Sequence, residues 1–189
     1  MVKNHIQHGK SSRKHLYAEE VLSKIGLSKG DIFLYAGCGD GYFSIAASSI
    51  VGDSGKIYAI DIHQDSINSL NNEIKTNSIN NLVPIVADIT TKIPLSDESV
   101  DKCLIANVLH GFDKNQELDN AILEISRIIK SGGNFYVVEF KKVKGTPGPP
   151  FGVRLSESDI KDIIIGYGFS LESSQNLGNY HILLKFLKK

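Results

Sequence analysis

Residues 32–41 read Ile32-Phe33-Leu34-Tyr35-Ala36-Gly37-Cys38-Gly39-Asp40-Gly41. Five apolar or aromatic residues in a row suit a short buried strand. Glycines at alternate positions then let the backbone turn sharply and approach a ligand with no Cβ in the way. A helical pattern follows over residues 42–50, so the turn presents backbone N–H groups at a helix N-terminus. In open α/β sheets, ligands bind at this place, outside the carboxyl ends of the strands. A dinucleotide fingerprint, G-x-G-x-x-G/A, would need a small residue at position 42. That position is Tyr42, which disfavours a nicotinamide oxidoreductase.

Outward from the turn, strands and helices alternate. Leu16, Val21, Leu22 and Ile25 recur at helical spacing before Gly26. After the turn come a strand over 56–60 ending at Asp61, a helix over 65–76, and a strand over 82–87 ending at Asp88. A strand over 100–106 follows, then a helix over 115–129 that Ser131-Gly132-Gly133 should stop, then a strand over 134–140. Such alternation with short loops predicts a parallel sheet with helices on both faces. Gly145-Thr146-Pro147-Gly148-Pro149-Pro150 reads as a rigid extended linker. Ser156 with Asp159 three residues on reads as a capping box for a helix to about Tyr167. Two β-rich stretches, 169–174 and 180–187, are too close for a parallel crossover and must be antiparallel. Residues 180–187 could serve as an edge strand pairing with another subunit. One domain is expected over 16–189, preceded by a flexible arm over 1–15.

Composition narrows the function. Hydrophobic residues are 41% and charged residues 22% of the 189, enough apolar material for one core and too much for a disordered chain. Twenty-one basic residues balance 21 acidic ones, so charge gives no reason to expect nucleic acid. The balance is uneven: residues 1–30 carry six Lys/Arg against two Glu, and residues 141–189 carry eight against four. The middle is therefore acidic, a pattern that fits either an anionic substrate or plain solvated faces. No apolar run approaches the roughly 20 residues that span a bilayer, and the polar N-terminus lacks a signal-peptide core. The expectation is a cytoplasmic monomer or homodimer. Cys38 and Cys103 cannot build a disulfide framework or a four-cysteine zinc site, and His5, His8 and His15 lack partners at fixed spacing, so no metal is expected.

The turn and its neighbours together resemble the class I S-adenosylmethionine-dependent methyltransferases, in particular the small type 11-like members. The G-x-G-x-G spacing at Gly37, Gly39 and Gly41 is similar to that family's first motif. Asp61 lies 24 residues after Gly37, at the end of the next strand, where a carboxylate can accept both ribose hydroxyls. Ile62 beside it would lie against adenine, and Asp88, followed by Ile89, suits adenine's exocyclic amine. Ile93-Pro94-Leu95-Ser96-Asp97-Glu98-Ser99-Val100-Asp101 resembles the family's "L-P-F-x-D-x-S-F-D". Asn107-Val108-Leu109-His110 resembles its V-L-H stretch, and Glu124 to Gly133 resembles "E-x-x-R-V-L-K-P-G-G". The match covers about residues 25–140. It implies a Rossmann-like, doubly wound seven-stranded sheet of order 3-2-1-4-5-7-6 with the last strand antiparallel. It also implies S-adenosylmethionine as cofactor, S-adenosylhomocysteine as product, and Tyr35, Gly37, Cys38, Gly39, Asp40, Gly41, Asp61, Ile62, Asp88, Ile89 and Asn107 as cofactor-binding positions.

One position departs from the pattern. Where the family has Asp or Glu two residues before the first glycine, this chain has Tyr35. A lost charge-assisted hydrogen bond costs about 1.5–3 kcal/mol, roughly ten- to a hundred-fold in affinity. Asp40 or backbone groups could hold the ammonium group instead, or the chain could be a non-catalytic binding or protein-interaction member of the fold. Methyl transfer mainly requires alignment of the acceptor and exclusion of water, with a proton removed when needed. His110 is the first candidate base, by position and by the chemistry of imidazole, against a structural role at a helix start. Glu139 is the second candidate, against a sheet-end carboxylate paired with Lys141 or Lys142. After the fourth strand comes Ala106-Asn107-Val108-Leu109 rather than N-P-P-[YF], which argues against the members of the family that methylate exocyclic amines of DNA, RNA or release factors; a small-molecule acceptor is expected. The linker 142–155 and the arm 1–15 are candidates for a lid.

Overall fold

The computed structural model describes residues 16–189, so the arm over 1–15, with His5, His8 and His15, lies outside the described residues. In chain order the elements are α1 (Ala18–Lys24), β1 (Ile32–Ala36), α2 (Tyr42–Val51), β2 (Lys56–Asp61), α3 (Gln64–Thr76) and β3 (Leu82–Val86). They continue with β4 (Val100–Ala106), α4 (Leu109–Lys114), α5 (Leu118–Ile128), β5 (Ile129–Phe140), α6 (Glu157–Ile165), β6 (Phe169–Leu177) and β7 (His181–Lys188). The sheet has seven strands in the order β3-β2-β1-β4-β5-β7-β6, as expected. β7 runs antiparallel to both β5 and β6.

Alternation along β1 assigns the two faces. Phe33 and Tyr35 enter the layer formed with α1, α2 and α3 through Leu22, Phe43 and Leu70. Leu34 and Ala36 enter the opposite layer, with Leu109, Ile122 and Ile160 of α4, α5 and α6. Phe33, Phe43, Phe135 and Phe186 are fully buried, each stabilising the fold by roughly 1.5–3 kcal/mol. Ion pairs fix the strand starts. Ile32 N donates to Asp101 Oδ2 (2.8 Å), Lys130 Nζ donates to Asp101 Oδ1 (2.6 Å), and Lys102 Nζ meets Asp31 Oδ2 at 2.6 Å. The capping box forms: Asp159 N donates to Ser156 Oγ (3.1 Å) and Ser156 N to Asp159 Oδ2 (2.8 Å).

The quoted segment around Asp97 and the Glu124–Arg127 pair are two halves of one lock. Arg127 donates to Asp97 Oδ1 and Leu95 O through Nη1, and to Glu124 through Nε and Nη2. Ile93 N donates to Glu124 Oε1 at 2.7 Å. Burial alone would push Glu124 up, but the Arg127 hydrogen bonds and Ile93 N–H hold its carboxyl below the ordinary value. Asp97 is lowered as well, chiefly by its hydrogen bond to Arg127. The lock ties the approach to β4 onto α5.

Several expectations change. The helix expected over 115–129 is α5 alone, and a separate α4 precedes it. Gln116, at φ 59°, breaks the two apart. Ser131-Gly132-Gly133 does not stop a helix; α5 passes directly into β5 at Ile129. The register between β4 and β5 shifts there, because β4 advances from Val100 to Lys102 while β5 advances from Ile129 to Asn134. A Cβ on Gly133 would sit 2.7 Å from Ile129 Cγ2 and 2.9 Å from Asp101 O, so glycine permits this bulge. β3 stops at Val86, leaving Asp88 in the following turn. β7 is not an edge strand: it is paired on both sides, and β6 and β3 form the edges. The apolar β7 is sheltered while β6, with Glu172, Ser173 and Ser174 exposed, faces out.

The glycine/proline segment is also not extended. It coils around the guanidinium of Arg154, which is buried. Arg154 Nε donates to Pro149 O (2.7 Å) and Nη1 to Lys141 O (3.0 Å), Val143 O (3.2 Å) and Thr146 Oγ1 (2.6 Å). Nη2 donates to Thr146 O (3.0 Å) and Pro147 O (3.1 Å). Nothing in the local sequence marks Arg154 for this role, since five of its six partners are backbone carbonyls.

Candidate functional site

The turn after β1 is held by its neighbour strand. Gly37 N and Cys38 N donate to Ile60 O at 2.8 and 2.9 Å, and Gly41 N donates to Cys38 O at 2.9 Å. Gly37, Gly39 and Gly41 have φ of 74°, 52° and 77°, the left-handed region that glycine enters without strain. A Cβ on Gly37 would lie 2.8 Å from Val108 Cγ2, and one on Gly41 would strike the Leu70 side chain. Asp61 braces the turn: its Oδ2 accepts from Gly39 N (2.8 Å) and its Oδ1 from His63 N (2.8 Å). Asp40 Oδ1 accepts from Tyr42 N at 3.2 Å, and Tyr42 Oη accepts from Ala18 N at 3.2 Å, tying α1 to the turn.

Most of the other residues singled out in the sequence lie at the same carboxyl end of the parallel strands, after β2, β3 and β4. Ile62 is half-buried beside Asp61. Asp88 Oδ1 accepts from Thr90 N (2.9 Å) and Thr90 Oγ1 (2.6 Å), so one carboxylate oxygen sets the turn while Oδ2 has no hydrogen-bond partner among the described residues. Ile89 is packed in the core of the α4–α6 face rather than on a surface. Asn107 follows β4 as Gly37 follows β1, and Ala36 pairs with Ile105. Its φ of 59° is left-handed, and its buried Oδ1 has no hydrogen-bond partner among the described residues. A buried, unpaired amide oxygen costs about 1–3 kcal/mol, which calls for an explanation. Tyr35 is 3% exposed, its ring set edge-on to Phe43 at 5.4 Å and 89°. Its side chain belongs to the α1–α3 core layer.

The structure joins His110 and Glu139, which the sequence offers as separate candidates. His110 Nδ1 lies 2.8 Å from Glu139 Oε2, and His110 N donates to Glu139 Oε1 at 3.4 Å. Both residues are 2% exposed. An ionised carboxylate accepts only, so Nδ1 carries the proton and Nε2 is left as an acceptor. The alternative pairing of Glu139 with the following lysines is not formed. Lys141 Nζ donates to Gly178 O and Asn179 O, and Lys142 pairs with Asp159. Burial, chiefly, pushes both the Cys38 and Cys103 thiols up, which keeps them protonated and suits packing. Among the described residues no group of three His, Cys, Asp or Glu side chains could hold a metal ion. Nor is any helix of the described residues long and apolar enough to cross a membrane.

The family model described as "Methyltransferase domain" matches residues 27–162. A "Probable cobalt-precorrin-6B C(15)-methyltransferase (decarboxylating)" of Saccharolobus solfataricus is 34% identical over 117 residues, 61% of this chain and 56% of its own length. A "Demethylmenaquinone methyltransferase" of Lactobacillus johnsonii is 24% identical over 65% of this chain and 49% of its own length. The chain thus spans about half the length of these curated relatives. A crystal structure of a SAM-dependent methyltransferase from Aquifex aeolicus superposes with a TM-score of 0.86 at 26% identity, covering 96% of this chain and 95% of that one.

Proposed function

The chain belongs to the methyltransferase-domain family, and we propose that it transfers a methyl group from S-adenosylmethionine to a small-molecule acceptor. The observation that carries this reading is the turn of three left-handed glycines at the carboxyl end of β1, beside the unpartnered Asn107 Oδ1. The residues fit such a cofactor. Gly37, Gly39 and Gly41 make the turn with no side chain between backbone and ligand, and Asn107 Oδ1 is an acceptor of the kind an ammonium group needs. Asn107 would then compensate for Tyr35, where the family has an acid. Asp61 and Asp88 would meet the ribose hydroxyls and the adenine amine, with Ile62 against the ring.

When bound, the cofactor supplies a methyl group already activated on a sulfonium. The chain's residues hold it, align the acceptor and exclude water. Precorrin and menaquinone precursors, named for the relatives above, support a small-molecule acceptor. We place the reaction in the cytoplasm, in a monomer or homodimer without a nucleic acid partner, in keeping with the balanced charge.

Calorimetric titration of S-adenosylmethionine and S-adenosylhomocysteine into the wild type and Asn107→Ala tests the reading. Micromolar binding by the wild type, weakened roughly ten- to a hundred-fold in Asn107→Ala, is expected from a charge-assisted hydrogen bond. No binding by the wild type that Tyr35→Asp restores would favour a second reading, which Tyr35 itself motivates: a fold that lost its cofactor at one residue. No binding by any form would remove the activity and leave only the fold.

A further inference from the structure

Glu139 is a carboxylate at the buried end of β5, opposite Ile182 of β7. Among the described residues its hydrogen-bond donors are both on His110: the backbone N–H to Oε1 and the ring Nδ1 to Oε2. Two bonds from one residue fix the ring's position and its tautomer together. His110 Nε2 has no hydrogen-bond partner among the described residues, so the lone pair that the Nδ1–H tautomer leaves there is not used within the fold. His110 also sits three residues beyond Asn107 and two beyond Val108, the side chain that walls Gly37. A nitrogen with an unused lone pair therefore belongs to the segment that walls the proposed cofactor turn, backed by a carboxylate that stabilises the imidazolium as it forms.

We propose that His110 and Glu139 are a base and its positioning residue, and that the acceptor is a hydroxyl compound of phenol or enol type. The proposal rests on the methyltransferase reading above. An amine attacks with its own lone pair and sheds its proton afterwards, and a thiol ionises readily near pH 8.5. Neither needs a built base. A phenol, with a pKa near 10, does. The acceptor's O–H proton passes to His110 Nε2 while its oxygen bonds to the methyl carbon. The carbon–sulfur electron pair stays on sulfur, leaving a neutral thioether, and the imidazolium then returns its proton to water. Glu139 keeps its charge throughout.

The first test needs no turnover. In the S-adenosylhomocysteine complex of the ¹⁵N-histidine-labelled chain, NMR should show one ring, assigned by its loss in His110→Gln, with Nδ1 protonated and Nε2 bare. Glu139→Gln has one oxygen for two donors. It should give the Nε2–H tautomer or a mixture, a signature that loss of packing alone would not produce. An Nε2–H tautomer in the wild type, or an unchanged tautomer in Glu139→Gln, overturns the dyad.

The second test is turnover of phenols and 1,3-dicarbonyl enols against matched anilines and thiophenols. Oxygen acceptors should react, with kcat down at least a hundred-fold in His110→Gln and in Glu139→Gln and the KM for S-adenosylmethionine within two-fold. Reaction of nitrogen or sulfur acceptors alone, or of none, overturns the acceptor class. If S-adenosylhomocysteine fails to bind the wild type in calorimetry, the underlying methyltransferase reading has failed instead.

Discussion

His110 Nδ1 and Glu139 Oε2 meet at 2.8 Å across the boundary between α4 and β5, 29 residues apart in the chain and both out of solvent. Such a pair stabilises little relative to apolar residues, because burying the charge costs about what the contact returns. His110→Phe alone should destabilise the fold by about 3–5 kcal/mol, since it strands a buried carboxylate. His110→Phe with Glu139→Leu should recover most of that loss. Urea unfolding of the single and double variants measures the difference, and a double variant less stable than the single would refute it.

Arg154 holds six bonds to the segment 141–149, five of them to carbonyls. Lysine cannot reproduce the planar fork. Arg154→Lys and Arg154→Met should both open the segment to trypsin at Lys141, Lys142 and Lys144, with a loss of stability of about 2–3 kcal/mol. Equal digestion rates in variant and wild type would show that the loop keeps its shape without the guanidinium.

Gly41 has φ 77° and Leu70 where its Cβ would go. Gly41→Ala should cost about 1–2 kcal/mol from the left-handed backbone alone, and more as Leu70 shifts. Because the turn moves, S-adenosylhomocysteine affinity should fall with it. A melting temperature unchanged from wild type would argue that the turn is not held in this conformation.

Glu124 has a carboxyl held below its ordinary value by Arg127 and Ile93 N–H against the opposing effect of burial. Its contribution to stability is full above the unfolded carboxyl's pKa of about 4.3 and is lost as pH falls through the lower folded value. Glu124→Gln should therefore be less stable at pH 7 and lose less stability between pH 5 and pH 3. Parallel curves of urea midpoint against pH for the two proteins would exclude the linkage.

Tyr35 packs against Phe43 in the core. Tyr35→Phe keeps the ring and should change stability by about 1 kcal/mol or less. Tyr35→Asp places a carboxylate in the same space and should lower the melting temperature clearly, whatever it does for the cofactor. Calorimetry and melting on both variants separate the two effects.

The features legible along the chain are local or periodic. The apolar run 32–36 became β1 residue for residue, and the alternate glycines made the sharp turn expected of them, all three with positive φ. Ser156 and Asp159 formed their capping box because both partners lie within one helical turn. The strand order followed from resemblance to a family, and the antiparallel hairpin from its short connection. Contacts between distant residues were decided only in three dimensions. Register between β4 and β5 sets Ala106 against Val138, which brings Glu139 level with Asn107 and under the first turn of α4. A one-residue slip would send Glu139 to the other face. Arg154 finds five of its six partners among carbonyls, which carry no sequence signature, and β7 lies inside the sheet because it pairs with both β5 and β6. Local sterics act within a few residues and can be read along the chain, whereas pairing across the sheet depends on how all seven strands share one core.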